Sequence, residues 1–391
     1  MRCAVGLIAA GMEMFVWGCG PGRASCINAD PGSVLAEVSG DFEIIADPQD
    51  AAGNLIYISN VAKVGPSTIV TARLGRISGQ VVTGSLTQIA DNFFGNSDIN
   101  GPEFVQKPTG ELGVLYAGVG GVHGVFRSAV PAGWNGFTYD VTGAPTNGSP
   151  PPLPSTSDGE YPGGGLKLGE YTYAQNQGNC SGICYGSMVS GIPTDVVAVM
   201  AANYGLTASA ATESPRDGYV FVGACDSRGA CGIYEGLVDT EGEFLAGTLQ
   251  LRANVATAPQ NLGAARHPVT GATVLFAGDG ANAIDVWQQP AAGGQLSLVA
   301  SVPVNTSTHY RPRTSNTEVV LHYFGANGIT AGSYALPVVA RKGKLVAESS
   351  KKIGAYGRGS ELAWLPAADQ WALFFRPSPT ANALARCVVN P

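Results

Sequence analysis

Four ionisable residues occupy the same place relative to a following turn. Each lies five residues before the turn residue, which is Pro in three segments and Thr in the fourth. If the segments are equivalent strands of a repeat, the four side chains lie at one level around a common axis. Such a cluster holds a cation, or supplies a raised-pKa acid and a partner base for hydrolysis or elimination. The residues are Glu43 (EIIADP), Glu103 (EFVQKP), Glu361 (ELAWLP) and His309 (HYRPRT), with Gly263 and Ala210 at the same place in two further segments.

A structural interpretation competes with this catalytic one. A Glu repeated at equivalent positions also serves to accept hydrogen bonds from the backbone of the neighbouring repeat. His309 interrupts the repetition, and it begins the run HYRPR with Tyr310, Arg311 and Arg313. An Arg pair there can clamp a carboxylate or sulfate of a ligand, or it can form salt bridges in an exposed turn.

The segment NSDINGPE is the candidate metal site. Asn96, Asp98, Asn100 and Glu103 alternate along it, and Gly101 permits a tight bend. The pattern resembles the DxDxDG calcium loops of EF-hands and of integrin-type propellers. It departs from them because two acids are replaced by Asn and the terminal bidentate acid is absent. The expectation is no cofactor other than a structural calcium ion, with a plain Asx-rich turn as the alternative.

The cysteines predict disulfides rather than zinc. Eight Cys occur in the chain, and six remain when those in the predicted signal are removed. Spacings of the CxxxC and CxxxxxC type, without adjacent His, do not fit the usual zinc ligand sets. The expected pairs are Cys180 with Cys184, Cys225 with Cys231, and Cys26 with Cys387.

The amino terminus reads as an export signal over residues 1–25. One early Arg precedes an apolar stretch, and small residues follow near two cleavage points. Either Cys19 is lipidated after cleavage within VWGC, or cleavage follows Ala24. Both routes predict an extracytoplasmic protein that is secreted, periplasmic or lipid-anchored, and oxidised cysteines agree with that location. The alternative is a buried first strand of a cytosolic protein.

Composition and motifs exclude several classes of function. The net charge is −7, and no Lys/Arg cluster of the kind that binds phosphates is present, so neither DNA nor an anionic membrane is an expected partner. Membrane contact is expected only through a lipid anchor. The sequence has no GxSxG, HExxH or P-loop motif. His267 precedes a turn Pro and His322 lies in a core strand pattern, so both are predicted to be structural.

A repeat with a period of about 50 residues organises residues 26–391. An apolar strand motif recurs at spacings of 46 to 59 residues, usually with a strand and a Pro or Asp turn before it and one or two short strands after it. Four antiparallel strands per unit are typical of propeller blades. The motifs are LIYIS at 55, VLYAG at 114, YTYAQ at 171, YVFVG at 219, VLFAG at 274, VLHYF at 320 and ALFFR at 372.

On these motifs the chain resembles the β-propeller superfamily. The expected fold is all-β, a single domain with seven four-stranded antiparallel blades, although six or eight blades are alternatives. Unit seven ends after its third strand, so the strand SVLAEVSG near the amino terminus is expected to close the ring. The Pro/Gly-rich residues 144–165 are expected to form an insertion loop. The Ala-rich segment from residue 194 is the one place where a helix competes with a strand.

Propellers include enzymes, lectins and scaffolds, so the fold does not decide the function. The first expectation is an exported binding or scaffold module for a protein or glycan ligand. The second is a hydrolase or lyase that acts on a carbohydrate with the acidic cluster at the central channel.

Overall fold

The computed structural model describes the chain unevenly. Before residue 204 it describes eleven strands, and only their backbones except at Ile44; from there to residue 391 it describes most residues. The gaps in the second part are 217, 238–244, 246, 280–281, 306, 326–331, 356–359 and 376–384. The cysteines at 19, 26 and 180, the Asn96–Asp98–Asn100 run and the 144–165 segment lie outside the described residues.

The described strands form seven antiparallel sheets, numbered here in chain order, and nearly every strand pairs with the next one in sequence. Sheets 1 to 3 contain eleven strands. Sheet 1 has β1 (Phe42–Ala46), β2 (Leu55–Lys63), β3 (Ile69–Ile77), β4 (Thr87–Gln88) and β5 (Phe93–Phe94); sheet 2 has β6 (Glu103–Gln106), β7 (Leu112–Gly118), β8 (Gly121–Phe126) and β9 (Tyr139–Asp140); sheet 3 has β10 (Thr172–Gln175) and β11 (Cys184–Ser187).

Sheets 4 to 7 contain the remaining sixteen described strands. Sheet 4 has β12 (Leu206–Glu213), β13 (Tyr219–Asp226), β14 (Cys231–Leu237) and β15 (Gln250–Val255); sheet 5 has β16 (Asn261–Arg266), β17 (Thr273–Gly278), β18 (Ala283–Gln289) and β19 (Ser297–Pro303); sheet 6 has β20 (Thr308–Thr314), β21 (Glu318–Gly325), β22 (Gly332–Arg341), β23 (Lys344–Ala347) and β24 (Lys351–Gly354); sheet 7 has β25 (Ser360–Leu365), β26 (Gln370–Phe375) and β27 (Ala385–Val389). The Ala-rich β12 is a strand, so the helical alternative is wrong over 206–213.

The first strands of six of the seven described sheets contact one another in a fixed order. β12 lies against β16, β16 against β20, β20 against β25, β25 against β1, and β1 against β6. Units six, seven, one and two are therefore neighbours, as the repeat predicts. An all-β chain of antiparallel sheets stacked through their first strands is consistent with a β-propeller.

The core lies between the sheets and buries both faces of the inner strands. In β17, Val274 and Phe276 pack toward sheet 6, while Leu275 and Ala277 pack toward sheet 4. In β21, Val320 packs toward sheet 7. Because successive side chains of a strand point to opposite faces, a strand between two neighbours is apolar throughout. This burial explains why the repeat appears as continuous apolar motifs.

Two cysteine assignments can be compared with the structure. Cys225 and Cys231 are opposite residues of β13 and β14 and form the predicted disulfide. Cys387 in β27 is also disulfide-bonded, and its partner lies outside the described residues. β27 is the last described strand of sheet 7, which has three strands where sheets 4 and 5 have four.

We expect peptide mapping without reduction to join the Cys26 peptide to the Cys387 peptide. A disulfide that closes nearly the whole chain restricts the unfolded state more than one that closes a six-residue separation. Replacing Cys26 and Cys387 together by Ser should lower the free energy of unfolding by about 5 kcal/mol, against roughly 2 kcal/mol for the Cys225/Cys231 pair. A mapped partner for Cys387 other than Cys26 would contradict the assignment.

His267 organises the hairpin between β16 and β17. Its side chain is completely buried, and its Nδ1 atom accepts hydrogen bonds from the backbone N–H groups of Val269 and Thr270 at 3.2 and 3.4 Å. Burial lowers the pKa of His267 below its ordinary value of 6.5, against a smaller opposing effect of the Val338 backbone. The predicted structural role of His267 is confirmed.

His267→Asn should remove one source of acid destabilisation. The unfolded chain takes up a proton at His267 before the folded protein does, so the contribution to stability is present above pH 6.5 and is lost as pH falls below it. An Asn Oδ1 atom can still accept the turn hydrogen bonds. Urea unfolding at pH 7.5 and 5.5 should show a larger loss for the wild type than for the variant, and equal losses would refute the assignment.

Candidate functional site

Glu361 links sheets 6 and 7 through ion pairs. It lies on β25 with 1% of its surface exposed. Arg313 of β20 donates from Nη2 to Glu361 Oε2 at 3.0 Å, and Arg311 forms an ion pair with Oε1. The arginine pair in HYRPR therefore clamps a carboxylate, and that carboxylate belongs to the neighbouring sheet of the same chain.

The clamp determines what Glu361 can do chemically. Both carboxylate oxygens face guanidinium groups within a buried interface. Removing one partner from such a buried cluster leaves an uncompensated charge, which is a large cost. This geometry fits an inter-sheet tie better than a group that exchanges a proton with a substrate.

Tyr310 faces away from the clamp. Its hydroxyl bonds to the Ser307 hydroxyl at 2.7 Å, and its ring meets Tyr323 edge-on at a centroid distance of 6.3 Å. Burial raises the pKa of Tyr310 well above its usual range, with the Ser307 hydrogen bond acting in the opposite direction. The Tyr310 hydroxyl also fills the space that a Cβ atom on Gly278 of β17 would occupy. Tyr310 therefore packs toward sheet 5, while Arg311 and Arg313 point toward sheet 7.

The strands of the other predicted cluster residues are brought together. Glu43 lies on β1 and Glu103 on β6, and these strands adjoin β25 in order. His309 lies on β20 beside a register irregularity between Thr308 and Arg311. The side chains of Glu43, Glu103 and His309 are outside the described part of the structure, so their convergence stays a prediction.

Packing explains why Gly263 and Ala210 occupy the two aligned positions that lack an ionisable residue. A Cβ atom on Gly263 would lie 2.9 Å from the ring carbons of Pro312, so sheet 6 approaches β16 too closely for a side chain. Ala210 is 2% exposed and belongs to the core between sheets 4 and 5. Neither position has room for a carboxylate.

A second buried carboxylate, not anticipated from the sequence, lies between sheets 4 and 5. Glu235 of β14 is fully buried and bonds to Arg216, Arg252 and Gln289. The available signal was a single charge in the otherwise apolar strand CGIYEGL, since a buried charge requires partners. The sequence does not indicate which partners these are.

A third carboxyl, Glu318, lies at the hairpin between β20 and β21. Its Oε1 atom accepts a hydrogen bond from Trp371 Nε1 at 2.8 Å. Burial raises the pKa of Glu318, the Trp371 hydrogen bond lowers it, and nearby Glu348 raises it further. Glu318 therefore has the raised pKa that a catalytic acid among the aligned residues would need.

The described residues contain neither a metal-ligand cluster nor a membrane-spanning helix. Among them, no group of three or more His, Cys, Asp or Glu side chains is placed to hold a metal ion. Nor does this part of the chain contain a helix with the length and apolarity of a membrane span.

No protein-family model and no curated protein matches the chain. Similar solved structures include a prolyl endopeptidase, with 11% identity, a TM-score of 0.42 and coverage of 90% of this chain and 50% of that chain. The fucose-specific lectin of Aleuria aurantia has 12% identity, a TM-score of 0.38 and coverage of 91% and 99%. TolB of Acinetobacter baumannii has 10% identity, a TM-score of 0.33 and coverage of 87% and 81%. This chain spans half the length of the prolyl endopeptidase, and the likeness assigns no activity.

Glu361→Gln should reduce the free energy of unfolding by about 3–5 kcal/mol, because it leaves two arginines without their buried counter-charge. The matched control is Glu348→Gln, which disrupts ion pairs of Glu348, including one with Arg341, whose side chain is 64% exposed, and should cost only about 0–1 kcal/mol. Urea denaturation followed by tryptophan fluorescence measures both. Equal, small losses would show that Glu361 is not a structural tie.

Proposed function

We propose that residues 26–391 form a single seven-bladed β-propeller that acts as an exported binding or scaffold module for a protein or glycan ligand. Seven described sheets and the order of their first strands support this architecture. In the proposed ring, the amino-terminal strand SVLAEVSG completes sheet 7 beside β27, and the 144–165 segment is an insertion loop.

The Glu361 clamp is the observation that carries the choice of a binding module. The aligned acid whose side chain is described is neutralised by two arginines of the adjacent sheet. A residue that holds blades together is expected to recur at equivalent positions, and Glu43 and Glu103 are equivalent to Glu361 in the repeat. In this proposal Glu43, Glu103 and Glu361 hold neighbouring blades together, and the ligand binds to other surfaces of the protein.

The proposed location is extracytoplasmic. The Cys225–Cys231 disulfide and a disulfide-bonded Cys387 fit an oxidising compartment. Export by the 1–25 signal, with or without lipidation of Cys19, and a structural calcium ion at Asn96, Asp98 and Asn100 are parts of the same proposal.

The second candidate is a carbohydrate-active hydrolase or lyase. It is favoured by one observation, which is that β20, β25, β1 and β6 are successive neighbours. Their ionisable residues Glu43, Glu103, His309 and Glu361 then share one arc. In this alternative one carboxylic acid protonates the leaving oxygen and another group acts as the base.

Glu103→Gln separates the two functions. If Glu103 is a structural residue, this substitution should lower the free energy of unfolding by about 1–3 kcal/mol, because a buried hydrogen-bonded acid is lost, and it should leave any turnover unchanged. A catalytic acid should lose its turnover of a polysaccharide panel while its urea midpoint stays unchanged. A glycan array and an interaction screen with the disulfide-intact chain test the binding module directly, and turnover that depends on Glu103 would overturn it.

A further inference from the structure

The Glu235 cluster has more positive than negative charge. Arg216 Nη1 lies 3.0 and 3.1 Å from the two Glu235 oxygens, and Arg252 Nε lies 2.9 Å from Oε2. Two guanidinium groups therefore face one carboxylate, which leaves a formal charge of about +1 because Arg stays protonated. An excess cation in a partly buried place is stabilised by an added anion.

The two arginines keep donors that Glu235 does not use. Their side chains are 16% and 13% exposed, whereas Glu235 is completely buried. Glu235 uses only Nη1 of Arg216 and Nε of Arg252. The other guanidinium nitrogens have no side-chain or backbone acceptor among the described residues, and none of them is sealed from solvent. A planar guanidinium with free N–H groups is suited to bidentate binding of a carboxylate or sulfate.

Gln289 provides an independent pointer to a ligand. This residue is fully buried, and its Nε2 atom donates to Glu235 Oε2 at 3.1 Å and to the Gly294 carbonyl at 2.9 Å. Both acceptors require the nitrogen, so the orientation of the amide is determined. Its Oε1 atom is buried and has no donor in the described part of the chain. An acceptor in that position requires a hydroxyl or a water molecule.

Both sheets build the enclosure. The turn after β18 in sheet 5 lies against the arginines of sheet 4, and a Cβ atom on Gly293 would lie 2.1 Å from Arg216 Nη1. The Leu296 N–H donates to the Arg252 carbonyl at 3.0 Å, and the Arg216 guanidinium stacks 3.8 Å over the Tyr219 ring. Packing therefore holds the guanidinium groups in place before any ligand binds.

We infer that Arg216, Arg252 and Gln289 form a site for an acidic glycan. The sugar carboxylate binds the N–H groups of the two arginines that Glu235 leaves unused, and a neighbouring hydroxyl donates to Gln289 Oε1 once the ligand displaces the contacts that bury this atom. A uronic acid carries both groups on one ring, whereas an acidic peptide side chain carries the carboxylate without the hydroxyl. The inference rests on the proposed binding function and names the ligand class and the place.

Calorimetric titration of the full, disulfide-intact chain with D-glucuronate tests the site, with D-glucose and acetate as probes at matched ionic strength. Saturable binding of glucuronate is expected, stronger than binding of acetate and absent for glucose, and it should weaken as NaCl is added. Arg252→Lys keeps the charge but loses the planar donor pair, so affinity should fall about tenfold or more. Arg228→Gln is the matched control, because Arg228 lies in the exposed turn at the other end of sheet 4 and should leave the affinity unchanged.

Gln289→Met provides a second variant of similar size without the buried acceptor, and it should reduce the preference for glucuronate over acetate. Equal affinity of Arg252→Lys and wild type would overturn the inference, as would acetate binding as tightly as glucuronate. If glucuronate does not bind while the array shows a neutral glycan or a protein ligand, the site is refuted and the binding module stands. Failure of every ligand on the array would instead count against the proposed function.

Discussion

Burial of the sheets on both faces is the constraint on which the rest of this structure depends. The inner strands have no solvent-facing side, since residues of β17 pack alternately on sheet 6 and sheet 4. A polar side chain in this region needs partners within the protein, either in its own sheet or across an interface with the next one. The few buried charges therefore lie where two sheets meet, and their partners come from different strands.

This constraint gives Glu361 and Glu235 a common design. Each carboxylate belongs to a strand that is otherwise apolar, and each faces two arginines. Desolvation makes an isolated buried carboxylate costly, whereas two guanidinium groups compensate it with fixed geometry. The Glu361 tie adds specificity to the interface of sheets 6 and 7, because only one registration of these sheets brings its charges together. The ion pairs of Glu235 lie within sheet 4, and Gln289 is the partner that sheet 5 contributes.

The repeat could be predicted from the sequence because a strand that is buried on both faces is a continuous run of apolar residues. The apolar motifs at 55, 114, 219, 274, 320 and 372 all lie in the second strand of a sheet, and the Cys225–Cys231 pair follows from a short hairpin. The partners of the charges could not be predicted. Gln289 lies 54 residues from Glu235, and only the stacking of sheets joins them. The opposite directions of Tyr310 and Arg311 could have been predicted, since adjacent side chains of a strand point to opposite faces.

The two clusters each pair one carboxylate with two arginines, and they differ in the further partners of those arginines. Glu361 sits between first strands, and Arg311 and Arg313 make further interactions beyond it. Glu235 sits on a third strand, and its arginines come from the hairpin before β13 and from the outer strand β15. The arginines of the two clusters are similarly exposed, so accessibility does not distinguish them. Arg311 and Arg313 have further partners in the fold, whereas Arg216 and Arg252 keep N–H groups without an acceptor among the described residues. Position within the sheet, rather than residue type or exposure, thus underlies our proposal that one cluster is a structural tie and the other a binding site.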